Sequence, residues 1–157
     1  MEYSERKRLR LPCFDYSDNG AYFVTLCTKN RANVLSKIVG NDALVVPTAI
    51  GEKVLECLKN IENVYNGVTL DYYVIMPNHI HAIFFFNNIS KQKCHLDLPK
   101  IMKDLKSVTT RFHKKYCGIN ESLWQNSYYD HIIRNKEDLF ETRKYIENNP
   151  IRWICKD

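Results

Sequence analysis

The sequence predicts an α+β fold: an antiparallel sheet of about four to five strands with helices packed mainly on one face. Three observations predict it. Runs rich in β-branched and aromatic residues are typical of strands, segments with apolar residues at helical spacing lie between them, and turn residues separate the two. The resulting order is β-α-β-β-α-β-α, and a chain of 157 residues, 45% of them hydrophobic, suits a single domain over residues 1–157.

The first half of the chain is predicted to hold a strand, a helix and a hairpin. The strand covers 21–28, which is rich in Val, Thr and aromatic residues. The helix opens at Pro47, a residue suited to a first turn, and it ends at the Asn66-Gly67 break. The strands of the hairpin cover 68–76 and 79–86, and the two residues between them form its turn.

The second half is predicted to hold two helices with a strand between them. The first helix covers 98–116, and Gly118 is suited to stop it. The strand covers 123–134, which opens with several aromatic residues. Asn135 can cap the last helix. Pro150 marks the end of that helix, because the residue before a proline avoids helical angles.

Composition and cysteine placement exclude several classes of protein. The 6 cysteines are scattered without a CxxC pair and no apolar leader is predicted, so a secreted disulfide scaffold is not expected. The apolar runs fall below the roughly 18 residues that a membrane-spanning helix needs. A cytoplasmic protein without a membrane partner is therefore predicted. Its net charge of +5 is compatible with a polyanionic partner, and residues 1–18 are predicted to form a basic N-terminal arm.

A histidine pair lies at the start of the second hairpin strand, in the segment MPNHIHAI. Side chains alternate between the faces of a strand, so His79 and His81 point the same way, with Ile80 opposite. Two imidazoles on one sheet face can converge on a cation. A structural zinc is disfavoured because a CxxC pair does not supply the missing ligands, and an open catalytic ion fits better. The alternative is a pair of histidines that are merely hydrogen-bonded.

The last helix carries a tyrosine away from its apolar stripe. Tyr145 lies on a different side of this helix from Leu139, so its hydroxyl is available to a polar group. Asn149 follows one turn later on the same face, if the helix extends that far. The alternative is a surface tyrosine that packs over its neighbours.

The helix predicted over 98–116 is strongly basic. Between positions 100 and 115 it carries six Lys and Arg residues against one Asp, and the cations at 100, 103, 111 and 114 align opposite the apolar stripe. A charged stripe is usually a solvated face, but an aligned set with almost no acid suits a phosphate backbone. An aromatic of the following segment can stack on unpaired bases or belong to the core. The residues predicted to bind nucleic acid are Lys100, Lys103, Lys106, Arg111, Lys114, Arg8, Arg10 and Trp124.

Three segments in this order, MPNHIHAI, LWQNSYYDHIIRN and YIENNPIRW, resemble the REP-associated tyrosine transposases. These are single-tyrosine members of the HUH endonuclease superfamily. The resemblance implies a ferredoxin-like HUH nuclease fold in which His79 and His81 form the histidine-hydrophobe-histidine motif. It further implies that Tyr145 is the catalytic tyrosine, and that Asn149 completes a site for a divalent metal, Mg²⁺ or Mn²⁺.

The function implied by this resemblance is a metal-dependent endonuclease and strand transferase for single-stranded DNA. It would act through a 5′-phosphotyrosine intermediate on DNA that forms hairpins, as a monomer or a homodimer. One alternative is a non-catalytic protein that binds single strands or hairpins through the basic helix and the aromatic residues. Another is a metal hydrolase that uses activated water, with Tyr145 incidental.

Overall fold

A four-stranded antiparallel sheet in the order β4-β5-β1-β6 organises the chain. The computed structural model describes residues 20–87 and 98–156. Within them, a second sheet pairs β2 with β3. The strands are β1 (Gly20–Cys27), β2 (Ser36–Val39), β3 (Leu44–Pro47), β4 (Val68–Ile75), β5 (His79–Phe86) and β6 (Tyr129–Ile133), and the helices are α1 (Ala49–Val64), α2 (Leu98–Cys117) and α3 (Lys136–Ile154). The predicted α+β class is confirmed.

Strand β5, which carries the histidine pair, and strand β1 are the two central strands of the large sheet. Their antiparallel register sets Thr25 opposite His81 and Cys27 opposite His79. On its other side β1 pairs with β6, which brings Tyr129 opposite Thr25. Residues directly opposite one another share a sheet face, so these side chains lie on one surface.

The two faces of this sheet are covered by different helices. Helices α1 and α2 pack on one face around a core that includes Tyr22, Ile80 and Phe84. Helix α3 packs on the other face through Ile146, which joins Phe23 and Ile83 in a second cluster. Two of the three helices therefore share a face, and the third covers the face to which the histidines point.

Two predicted helix signals, at Gly118 and Asn135, lie where the structure uses them, whereas the predicted start at Pro47 is wrong. The Oγ1 of Thr48 accepts the N–H of Gly51 at 3.2 Å, so Thr48 is the cap of α1, and Pro47 closes β3 instead of opening the helix. Gly118, with φ of 65°, follows the end of α2 as predicted. The Oδ1 of Asn135 accepts the N–H of Asp138 at 2.8 Å and caps α3, also as predicted.

Two further predictions about the elements are wrong, and one small sheet was not predicted. Helix α3 continues through Pro150, which is buried within it, to Ile154. The strand predicted over 123–134 is limited to β6, and the residues before it connect to the sheet through an isolated bridge between Thr28 and Trp124. The small β2–β3 sheet was not predicted, since strands of four residues show little periodicity.

The predicted N-terminal arm, with Arg8 and Arg10, lies outside the described residues. No helix within residues 20–87 or 98–156 has the length and apolarity that a passage through a membrane requires.

Candidate active site

A cavity of about 850 Å³ lies between the sheet and α3. His79 and His81 line it from β5, and Tyr145 and Asn149 line it from α3. The structure thus brings together the four residues that the sequence predicted as a catalytic and metal-binding set. They meet because α3 covers the same sheet face to which the odd-numbered residues of β5 point.

The two imidazole rings are oriented by hydrogen bonds on their Nδ1 atoms. Their ring centroids are 4.6 Å apart. Nδ1 of His81 lies 2.8 Å from Oγ1 of Thr25, and Nδ1 of His79 lies 2.7 Å from Oδ1 of Asn78. When Nδ1–H donates to these oxygens, the lone pair of each ring is on Nε2, as in most histidines that ligate metals.

The Nε2 atom of His81 lacks a hydrogen-bond partner among the described residues, although this side chain is only 4% exposed. Leaving a buried polar atom unsatisfied costs about 1–3 kcal/mol, so such an atom usually serves a ligand or a function. A divalent cation would use the Nε2 lone pair. The residues present therefore fit a metal site.

A third protein ligand has to be of a different kind. The described residues contain no group of three or more His, Cys, Asp and Glu side chains that could hold an ion. Asn149 is 9% exposed, and its side chain hydrogen-bonds to His79. Its amide oxygen is a hard donor that magnesium and manganese accept.

Both histidines are held in the neutral form that binds metal. Burial lowers the pKa of His79 from 6.5 to about 4, against an opposing hydrogen bond from Asn149, and the charges of Arg31 and Lys156 lower it further. Burial, with a smaller contribution from His79, lowers the pKa of His81 from 6.5 to about 3. At neutral pH protons do not compete with a cation for either ring.

Tyr145 lies beside this pair and remains accessible. Its ring is 5.4 Å from the ring of His81 and 6.1 Å from that of Phe23, and the residue is 40% exposed. The predicted position off the apolar stripe is confirmed. The guanidinium carbon of Arg152 lies 5.3 Å from the centroid of the Tyr145 ring, within the range of a cation–π contact.

Helix α3 is fixed to the sheet next to Tyr145 by a bidentate ion pair. Nε of Arg143 donates to Oδ2 of Asp71 at 2.7 Å, and Nη2 donates to Oδ1 at 2.6 Å. Asp71 lies in β4 at a break in its register with β5. This carboxylate, through its hydrogen bonds, raises the pKa of Arg143. The contact was not predicted, because 72 residues separate its two partners.

A further imidazole lies near the start of α3. His131 lines the cavity from β6, and its Nε2 lies 2.9 Å from Oδ2 of Asp138. Burial acts to raise the pKa of Asp138, but hydrogen bonds from His131 and from the backbone N–H of Arg134 lower it overall. Asp138 is therefore an anion that accepts a hydrogen bond from His131.

The predicted basic stripe borders a separate groove of about 530 Å³ between α2 and the segment before β6. Two of the predicted cations of α2, Lys106 and Lys100, make contacts within the protein. The ammonium of Lys106 donates to the carbonyls of Gln125 and Asn126 at 2.7 and 3.0 Å, and Lys100 pairs with Asp104 at 3.1 Å outside the groove. The predicted residues that line the groove are Lys103, Lys106, Arg111 and Lys114.

The assignment of Trp124 as a base-stacking residue is corrected by the structure. Its side chain is 1% exposed in the core beneath α2, and its Nε1–H donates to Oγ1 of Thr109 at 2.8 Å. Neither ring face is available to a base. Tyr129 is 53% exposed and lines the cavity of the histidines, so it is the aromatic residue of this segment that a nucleotide can reach.

Comparisons with known proteins identify relatives over most of the chain. Residues 17–149 match the family described as "Transposase IS200 like". An uncharacterized protein of Haemophilus influenzae is 32% identical over 164 residues, covering 94% of this chain and 89% of the relative. The REP-associated tyrosine transposase of Escherichia coli K12 is 27% identical over 90 residues, covering 54% of this chain and 47% of the relative.

Among solved structures, a REP-associated tyrosine transposase bound to a REP hairpin has a similar fold. The TM-score is 0.64 at 20% sequence identity, and the match covers 87% of this chain and 70% of that one.

Proposed function

The chain belongs to the IS200-like transposase family, and on that premise we propose that it cuts and rejoins single-stranded DNA in a metal-dependent reaction with Tyr145 as nucleophile. The observation that carries the proposal is the position of the Tyr145 ring, 5.4 Å from that of His81. The same cavity holds His79 and Asn149. A nucleophile and a candidate metal site are thus adjacent on a sheet face.

His79 and His81, through their Nε2 atoms, and Asn149, through its amide oxygen, would hold the divalent ion. Bound there, the ion would polarise a phosphodiester and offset its charge. Imidazole is a softer ligand than magnesium prefers, so manganese is at least as well suited to this donor set. The hydrogen bonds that the two rings make with Oγ1 of Thr25 and Oδ1 of Asn78 keep them aimed into the cavity.

The chemistry assigned to Tyr145 is a reversible transesterification. Its phenol loses a proton to water, and Oη attacks the phosphorus while the bond from phosphorus to O3′ breaks. The departing 3′-oxygen takes a proton from water, and the phosphate at the 5′ end stays bonded to Oη. A later 3′-hydroxyl attacks this phosphotyrosine, restores a phosphodiester and returns the phenol. One ester bond is exchanged for another, so no external energy source is needed.

A covalent adduct tests this function directly. Labelled single-stranded DNA is incubated with the protein and manganese and then separated on a denaturing gel, where a shifted band marks protein bound to DNA. A hydrolase that activates water would instead release free 5′-phosphate ends without an adduct. A non-catalytic binding protein would retain the DNA under native conditions and leave it uncut.

We expect cleavage to require a single-stranded target beside a hairpin. In-line attack needs Tyr145 and the ion to reach the phosphate from opposite sides. In a duplex, this requires the nucleotide to be extruded, at a cost of about a few kcal/mol of free energy for each nucleotide. The solved relative with the REP hairpin motivates the hairpin. One labelled oligonucleotide is compared as a free strand, as a hairpin with a single-stranded flank, and annealed to its complement. Equal cutting of all three would contradict this expectation.

The groove beside α2 should contact phosphates of any sequence. Changing Lys103 and Arg111 together to Ala should weaken binding and reduce the slope of log affinity against log salt by about 0.7 for each phosphate of a single strand that the variant no longer neutralises. A matched control is the double change of Lys37 and Lys59, exposed cations that line neither cavity. If both double variants behave alike, the stripe is only a solvated face.

A further inference from the structure

Three cations lie together at the end of the cavity that holds His79. Arg31 follows β1 in a short 3-10 segment, and Arg152 and Lys156 belong to the end of α3 and the residues after it. The charges of Arg31 and Lys156 act on the ring of His79, and the guanidinium of Arg152 lies over the ring of Tyr145. The cluster therefore borders both the metal site and the nucleophile.

Among the described residues, no ion pair compensates the positive charge of this cluster. Within residues 20–87 and 98–156, the ion pairs involve Lys53, Lys100, His131 and Arg143, and none includes a cation of the cluster. Arg143 is on the same helix as Arg152, yet it is bound to Asp71. A concave surface with cations of one sign concentrates anions.

Among the described residues, Glu141 is the acidic residue that lines the cavity, and it lies toward the other end. Glu141 precedes Arg152 by eleven residues on α3, which is about 16 Å along a helix axis. Asp138 is nearly one turn further away and is paired with His131. Among the described residues, the cavity is thus polarised, with Glu141 toward the start of α3 and cations that form no ion pair beside Tyr145 and His79.

The backbone at Arg31 supports a role for this side chain. Asn30 and Arg31 both have left-handed backbone angles, with φ of 57° and 54°. Arginine rarely adopts such angles, and residues held in them cluster at functional sites. The segment is anchored by the N–H of Lys29, which donates to the carbonyl of Leu123 at 2.9 Å.

We propose that Arg31, Arg152 and Lys156 form a phosphate-binding site for two successive phosphodiesters of the DNA strand. Arg152 donates to the non-bridging oxygens of the phosphate that Tyr145 attacks, and Arg31 and Lys156 hold the neighbouring phosphate beside His79. Attack by Oη adds negative charge to those oxygens before the bond to O3′ breaks, and a planar guanidinium binds two of them at once. This inference rests on the proposed function and assigns the contacts of its substrate.

The interaction between Arg152 and the reacting phosphate is tested by turnover at saturating DNA. Arg152→Gln should lower kcat by about 10²–10³-fold, the effect of removing one donor to a transition-state oxyanion. Arg152→Lys should recover part of this activity, because it keeps the charge but not the paired donors. Lys144→Gln is the control, an exposed cation of α3 that does not line the cavity. A kcat for Arg152→Gln equal to that of Lys144→Gln would overturn the assignment.

The contacts of Arg31 and Lys156 with the neighbouring phosphate are tested by measuring DNA binding. Metal is left out so that no strand is cut. Arg31→Gln and Lys156→Gln should each weaken binding of single-stranded DNA and reduce the salt slope by about 0.7, whereas Lys144→Gln should leave the slope unchanged. Salt slopes equal to that of Lys144→Gln would overturn the assignment of Arg31 and Lys156 to the neighbouring phosphate. If the wild-type protein forms no adduct at Tyr145, the proposed function fails, and the phosphate site is then decided by these slopes.

Discussion

Replacing Tyr145 with Phe is expected to abolish strand cleavage and the covalent adduct, while the affinity for single-stranded DNA changes by no more than a few-fold. Removing a covalent nucleophile typically lowers turnover by about 10⁴-fold or more. The substitution deletes only Oη, so the ring keeps its edge contacts with His81 and Phe23 and its cation–π contact with Arg152. A denaturing gel and a binding titration measure the two effects separately.

Tyr129 supplies the matched control. It lines the same cavity and is 53% exposed, whereas its neighbour Tyr128 is 4% exposed in the core. Tyr129→Phe should leave cleavage largely intact and Tyr145→Phe should not. The reverse pattern would assign the nucleophile to β6 instead of α3.

The parts of the site that sequence could predict are those set by local periodicity. Spacing of two residues in a strand places His79 and His81 on one face, whatever the rest of the sheet does. Helical spacing likewise places Tyr145 away from the stripe that holds Ile146 and sets Asn149 one turn later. The structure confirms both placements. Three separate segments also carry a specific resemblance, which the family match confirms.

The contacts that orient these residues depend on tertiary pairing. Thr25 meets His81 because β1 pairs with β5, and 56 residues separate the two. The ion pair between Arg143 and Asp71 depends on where α3 crosses β4. Local spacing carries no information about either register or crossing, so sequence reasoning did not find these residues. Asn78 directly precedes His79, but the sequence predicted it only as a turn residue.

Two of the wrong predictions concern Trp124 and Pro150, residues whose local sequence is compatible with more than one structure. Trp124 suits a core or a stacking surface equally, and its buried bond to Thr109 places it in the core. Pro150 predicts the end of the last helix, but α3 continues past it. This continuation positions Arg152 over Tyr145 and Trp153 within 6.4 Å of His79. The predicted end of the helix therefore left the cationic part of the site unrecognised.

Changing either histidine to Ala is expected to abolish metal-dependent cleavage and the stabilisation of the protein by manganese. For the wild-type protein, manganese at about 100 times its dissociation constant should add about 2.7 kcal/mol to the free energy of unfolding. His79→Ala is the cleaner variant, because His79 is only partly buried. His81 is 4% exposed and stacks on Phe23, so its removal should also lower the melting temperature without metal.

The lowered pKa values of the two histidines make the stability of the protein depend on pH. The unfolded chain takes up protons near the usual pKa of 6.5, whereas folded His79 and His81 do so only near about 4 and about 3. The contribution of the two histidines to stability without metal is therefore complete above pH 6.5 and is lost as the pH falls from there through about 4 for His79 and about 3 for His81. His79→Ala should reduce this decline. Burial also lowers the pKa of His113, which is present in both proteins and cancels in the comparison. An equal decline in both proteins would contradict the lowered pKa of His79. A manganese shift that is unchanged in His79→Ala would show that His79 does not hold the ion.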